Sequence, residues 1–116
     1  MGDVLLATVG AGRGSWGHIA RLINERQWER VILIGTEWVK QNFKVDKEVE
    51  WLLVASRSGF EGLKTAILER IPDNANIFVS IASGTGREHA ALLAALKEKQ
   101  KDYKIVLLTK NGITEI

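Results

Sequence analysis

The sequence of 116 residues contains no cysteine and a single proline, Pro72. Without cysteine there are no disulfides, no thiolate metal sites and no cysteine nucleophile, which fits a reducing compartment. No apolar run approaches the ~18 residues of a membrane-crossing helix. The first ten residues, MGDVLLATVG, lack a basic lead and run straight into a glycine turn, unlike a signal peptide. The expectation is a cytoplasmic protein with no membrane partner. A basic block is also missing, and the net charge is only +2. Charge therefore does not support a surface for duplex nucleic acid, although a local anion pocket remains compatible with it. What is present is an ordinary balance of 46% apolar and 26% charged residues. That composition and length predict one globular domain, residues 1–116, able to bury a core without staples.

The apolar segments alternate in kind. Val4–Val9, Val31–Gly35, Trp51–Ala55, Ile77–Ile81 and Tyr103–Thr109 read as strands. They are continuous apolar runs, as burial on both faces of a parallel sheet requires. Between them, Ser15–Arg26 carries Trp16, Ile19, Leu22 and Ile23 at helical spacing, and Glu37–Phe43 reads as a short helix. Phe60, Leu63, Ile67 and Ile71 predict an amphipathic helix stopped by Pro72, with Ser58-x-x-Glu61 in capping-box form at its start. Glu88–Lys99 forms the next helix. Asn111-Gly112 predicts a tight turn into a last strand, Ile113–Ile116, and Lys44–Glu50 is a charged loop. The pattern predicts an α/β fold: a doubly wound, Rossmann-like three-layer domain. Its mainly parallel sheet takes the order 3-2-1-4-5, with a C-terminal hairpin strand.

Two glycine-rich turns follow strands 1 and 4. The first is Gly10-Ala11-Gly12-Arg13-Gly14-Ser15-Trp16-Gly17-His18, and the second is Ser83-Gly84-Thr85-Gly86-Arg87-Glu88-His89. In this strand order they face one crevice at the topological switch point, where ligands of doubly wound sheets bind. Glycine lets the backbone approach a ligand, and the helix N-termini that follow favour anions. Arg13 and Arg87 either add charge-assisted bonds or are simply solvated. Thr85 and Glu88 have capping-box form and either cap a helix only or also face the ligand. Ser15 is likewise an N-cap candidate. Lys110 is a turn lysine that ends on the crevice side. His18 and His89 have no second metal ligand at a recognisable spacing, so no metal is expected. Trp16 reads as core or as an adenine platform, and Trp28, Trp38 and Trp51 as core or subunit interface.

Gly12-x-Gly14-x-x-Gly17 also matches the dinucleotide pattern, with Glu37 about twenty residues on. The alternative function is thus a nucleotide- or dinucleotide-binding regulatory module without catalysis. No substrate domain is expected within residues 1–116.

Thr8-Val9-Gly10 ending strand 1, and Gly84-Thr85 leading through Gly86-Arg87 into a helix after strand 4, resemble the CARF domain, the CRISPR-associated Rossmann fold. That family ends strand 1 in Thr-x-Gly and carries a Gly-Thr-Lys-like stretch after strand 4. Here Gly86-Arg87 stands where a lysine and a small residue would follow. The resemblance covers essentially the whole chain. It implies a homodimer binding a cyclic oligoadenylate across its two-fold axis, with no cofactor, acting in antiviral signalling. It further implies a sensor, a sponge or a ring nuclease, with a separate effector protein as a further partner. In a ring nuclease a ribose 2′-OH attacks the adjacent phosphate without a metal. Ser15, Thr85 and Arg87 are the expected catalytic groups. Thr8, Gly10, Ala11, Gly12, Arg13, Ser83, Gly84, Thr85, Gly86 and Lys110 are the expected ligand contacts.

Overall fold

A computed structural model describes residues 2–116. The elements run β1 (Gly2–Thr8), α1 (Trp16–Asn24), β2 (Arg30–Gly35), α2 (Glu37–Asn42), β3 (Glu50–Leu53), α3 (Phe60–Leu68), β4 (Ala75–Ser80), α4 (Gly86–Glu98), β5 (Tyr103–Thr109) and β6 (Gly112–Glu115). A short 3-10 turn, Arg13–Ser15, leads into α1. The sheet order is β3-β2-β1-β4-β5-β6, parallel except for the antiparallel β5–β6 pair. This is the expected doubly wound order with its added hairpin. β1 and β4 are neighbours, so the chain reverses its winding between them and opens the switch point there.

The two faces of the central strands β1, β2 and β4 feed different cores. Val4, Leu6, Ile32, Ile34, Ile77 and Val79 pack under α3 and α4. Leu5, Ala7, Val31, Leu33, Phe78 and Val106 pack under α1 and α2. Continuous apolar strands follow directly from this sandwiching, since neither face meets water. Lys47, in the charged loop, donates to the Ile23, Asn24 and Arg26 carbonyls and so closes the C-terminal end of α1.

Three local expectations need correction. Gly59, not Ser58, occupies the cap position of α3 and makes no side-chain cap bond, so Ser58 and Glu61 form no capping box. The helix ends at Leu68, before Pro72, with Glu69 and Arg70 bonding back into its last turn. The β5–β6 loop is Lys110-Asn111, and Gly112 follows in the left-handed region at φ +101. That glycine closes the hairpin as the first residue of β6.

Candidate functional site

The turns after β1 and β4 are locked to each other. Ser83, buried, joins them through both its hydroxyl and its carbonyl. Its Oγ accepts the Gly10 N–H at 2.8 Å and the Ser15 hydroxyl at 2.6 Å. Its carbonyl accepts the Thr8 hydroxyl at 2.5 Å and His89 Nε2 at 2.6 Å. A carbonyl only accepts, so His89 carries its proton on Nε2. His18 has the opposite tautomer: its Nε2 accepts the Leu108 N–H at 3.2 Å and pins α1 to β5. Both histidines therefore spend Nε2 on backbone.

Gly10 and Gly84 touch. A Cβ on Gly10 would lie 2.8 Å from both Cα and N of Gly84. Gly84 itself has φ +96, and a Cβ there would lie 2.7 Å from Glu88 Oε1. These two glycines thus serve backbone-to-backbone packing, and Gly10 donates its N–H into the protein. A Cβ on Gly12, Gly14, Gly17 or Gly86 would meet nothing within 4 Å. In the dinucleotide fingerprint the last glycine allows close helix–strand packing. Gly17 has no such neighbour, and Glu37 Oε1 accepts from Gln41 within α2.

Beside the locked turns lies a cleft of about 450 Å³ over the carboxyl ends of β1, β2 and β3. Val9, Gly10 and Ala11 form one wall, Thr36 and Val39 the second, Ala55, Ser56, Ser58 and Leu63 the third. Thr85, Arg87 and Glu88, at the start of α4, close it. Thr85 and Glu88 make the expected capping box: Thr85 Oγ1 accepts the Glu88 N–H at 3.3 Å, and Glu88 Oε1 accepts the Thr85 N–H at 2.8 Å. That carboxylate is held by the helix start and forms no ion pair with Arg87, although its charge lies on the same cleft wall. Arg87 Nη1 donates to the Ser58 carbonyl at 3.1 Å, spanning the cleft from α4 to the β3–α3 loop. Among the described residues Arg87 forms no ion pair. Arg87 thus sets a guanidinium outside any ion pair, with donors to spare, on the cleft wall.

Gly10, Ala11, Thr85 and Arg87 are the sequence-expected residues that line this cleft. Thr8, Ser15, Ser83 and Gly84 lie beneath it, in the lock. Ser15 sits at the cap position of α1, but its hydroxyl makes no cap bond and turns to Ser83 instead. Arg13 lies over the rings of Trp16 and Trp38, 5.3 and 5.6 Å from their centroids. Lys110, at the tip of the β5–β6 hairpin, is not brought to the cleft; β4 stands between. Sequence reasoning missed Thr36, Ser56 and Ser58. Their signal was available, because each hydroxyl follows a strand at its carboxyl end.

A larger cavity, about 720 Å³, opens at the opposite end of the strands. Several of its charges are paired, Arg26 with Asp3 and Glu115, and Lys104 with Glu115, while Lys101 and Asp102 also line it outside any ion pair among the described residues. The Glu115 carboxyl is held below its ordinary range by the hydrogen bond from Arg26 and then that from Lys104. Those pairs fasten β1, β5 and β6 to the turn after α1.

No protein-family model matches the chain, and no curated protein matches it in sequence. Among solved structures it is similar to Csm6 of Enterococcus italicus bound to cyclic hexa-2′-fluoro-hexa-dAMP. The likeness covers 95% of this chain at a TM-score of 0.63 and 18% identity. This chain spans about a third of that protein, 34% of its length. The expected Rossmann-like architecture is thereby shared, over nearly every described residue, with a protein solved bound to a cyclic nucleotide.

Proposed function

We propose that the chain is a cyclic-oligoadenylate-binding domain of the CARF kind, and that it binds the ring as a homodimer whose two clefts meet across a two-fold axis. The observation that carries this reading is the cleft at the carboxyl ends of β1–β3, walled by Gly10, Ala11, Thr85 and Arg87. It occurs in a fold shared with Csm6, a CARF-domain protein solved with a cyclic ligand. The chemistry suits a phosphodiester ring. Arg87 provides a guanidinium outside any ion pair, and the capping box leaves the Gly86 and Arg87 amides at the start of α4 pointing out of the helix. A ring of adenylates carries symmetric negative charge, and an isologous dimer supplies the matching pair of clefts.

Cleavage belongs to the same site. A ribose 2′-OH placed in line with the next phosphate expels the 5′-oxygen and leaves a 2′,3′-cyclic phosphate, provided that the developing charge is stabilised. Arg87 and Thr85 line the cleft and are the groups proposed to do so. Ser15, tied to Ser83, is proposed to position the turn. The dinucleotide alternative is disfavoured by the open space around Gly17 and by the engagement of Glu37 with Gln41.

The test is incubation of the purified chain with cyclic tri-, tetra- and hexa-adenylate, following binding, linear products and solution mass together. Binding of one ring by a dimer, weakened by salt and by Arg87→Ala, supports the reading. Products ending in 2′,3′-cyclic phosphate make it a ring nuclease, and an intact ring makes it a sensor or sponge. Failure to bind any of the three rings refutes the proposal.

A further inference from the structure

Trp38 is the second residue of α2, and it is 47% exposed. Its neighbours explain why its position is nonetheless fixed. The Trp16 ring meets it at 6.1 Å between centroids, tilted by 50°. Trp16 is itself anchored, with Nε1 donating to the Gly10 carbonyl at 2.8 Å and its ring set edge-on against the buried Phe43. The guanidinium of Arg13 lies over both indoles. Among the described residues Arg13 has no carboxylate partner, so its charge is balanced only by the two π faces.

This group does not line the cleft itself but is joined to its wall, since the Gly10 carbonyl that accepts from Trp16 belongs to a lining residue. Arg13 stands two residues beyond Ala11, and Trp38 two residues beyond Thr36, and both of those residues line the wall. A large exposed indole, backed by a second indole and capped by an unpaired arginine, is costly to leave in water. It is well suited to a flat aromatic ligand that also carries negative charge.

We propose that Trp38 is a stacking platform for a purine base of the ligand held in the adjoining cleft, with Arg13 bridging from the indole to the neighbouring phosphate. The identity of that base as adenine rests on the function proposed above; the platform itself rests on the aromatic geometry. The base lies on the exposed face of the Trp38 indole while its ribose and phosphate point toward Ala11 and Arg87. Stacking needs no particular hydrogen-bond pattern, so this subsite contributes affinity and orientation, and discrimination among bases is left to the cleft.

The experiment compares the full wild-type chain with Trp38→Phe and Trp38→Ala. The probes are cyclic tetra- and hexa-adenylate, AMP and ribose 5-phosphate, read by calorimetry and by indole fluorescence. Base–aromatic stacking predicts that Trp38→Ala weakens binding of the preferred ring about ten- to hundredfold while Trp38→Phe keeps most of it. Wild type should also prefer AMP to ribose 5-phosphate, and Trp38→Ala should erase that preference. Equal ring affinity in wild type and Trp38→Ala overturns the platform and leaves the ring reading standing. Loss of the AMP preference in a chain that binds no ring supports the platform and overturns the ring reading. If Trp38→Ala dissociates a dimer but keeps the AMP preference, Trp38 is a subunit contact and the platform is overturned.

Discussion

The contact between Gly10 and Gly84 makes a quantitative prediction about side chains at either position. Alanine at Gly84 must adopt φ +96, which costs an L-residue roughly 1–2 kcal/mol. Its Cβ would also sit 2.7 Å from Glu88 Oε1 and 3.1 Å from Thr8 Cβ. Moving that carboxylate breaks one arm of the capping box, worth about 1 kcal/mol. Gly84→Ala should therefore cost about 2–4 kcal/mol. Gly10 carries no positive φ, so alanine there meets only overlap with backbone, about 1–3 kcal/mol. Thermal melts and urea titrations at pH 7 read both. For a domain of this size the Gly84→Ala melting temperature should fall on the order of 10 °C. Gly12→Ala and Gly17→Ala are the controls, because their Cβ atoms would meet nothing within 4 Å. They should be neutral or, for Gly17 inside α1, stabilising by up to about 1 kcal/mol. If Gly10→Ala and Gly84→Ala melt within about 2 °C of wild type, the turns are not locked and the site geometry is wrong.

Ser83→Ala strands the Gly10 N–H and leaves the Ser15 hydroxyl only the Gly12 carbonyl, so it should destabilise by about 1–3 kcal/mol in urea titration. Ser80→Ala should be neutral or stabilising in the same assay, because the buried Ser80 Oγ has no partner among the described residues. Gln100 stands in the left-handed region at φ 56 just past α4, where the Lys101 and Gln100 amides bond back to the Leu96 and Lys97 carbonyls. Gln100→Gly should therefore raise stability by roughly 1 kcal/mol, seen as a higher melting temperature. The Arg30 hydrogen bond holds the Glu50 carboxyl below its ordinary range. That contribution is complete above the unfolded glutamate pKa of about 4.3 and is lost as pH falls through the lower folded value. Urea midpoints measured from pH 7 down to 3 should thus fall more steeply for wild type than for Glu50→Gln. The difference should be at most about 1 kcal/mol, because both partners are more than a third exposed.

The architecture was legible because its cause is written in composition. Apart from Thr8 and Ser80 at their carboxyl ends, the buried positions of β1, β2 and β4 are apolar or glycine, so parallel pairing and the neighbouring of β1 and β4 followed without coordinates. Boundaries were less legible where two residues compete for one role. Ser58 and Gly59 are both acceptable helix starts. Gly59 won, and the Ser58 carbonyl then became the acceptor for Arg87 across the cleft. No local pattern reveals that bond, because its partners are 29 residues apart.

The candidate site was legible in its ingredients and not in their assignment. Gly10, Gly12, Gly14, Gly17, Gly84 and Gly86 are one letter repeated, yet two of them are packing contacts and four face open space. The same holds for the hydroxyls. Ser83 and Thr85 are two residues apart, but one is buried as the lock and the other caps α4 at the cleft wall. The difference comes from strand pairing. Register sets Ala7 opposite Ser80, so the chain leaves both strands at one level and the two turns must meet. Once they meet, the side chains nearest the sheet are consumed in holding them, and those one step further along face the cleft. Residues such as Ala11, Thr85 and Arg87 are therefore free to contact a ligand because Thr8, Gly10, Ser83 and Gly84 are not. The sequence reads Trp38 as core or subunit interface and misses its place beside Trp16 and Arg13, for a related reason. Six residues of α2 are too few to show a periodicity that separates the buried Val39 from the exposed indole beside it.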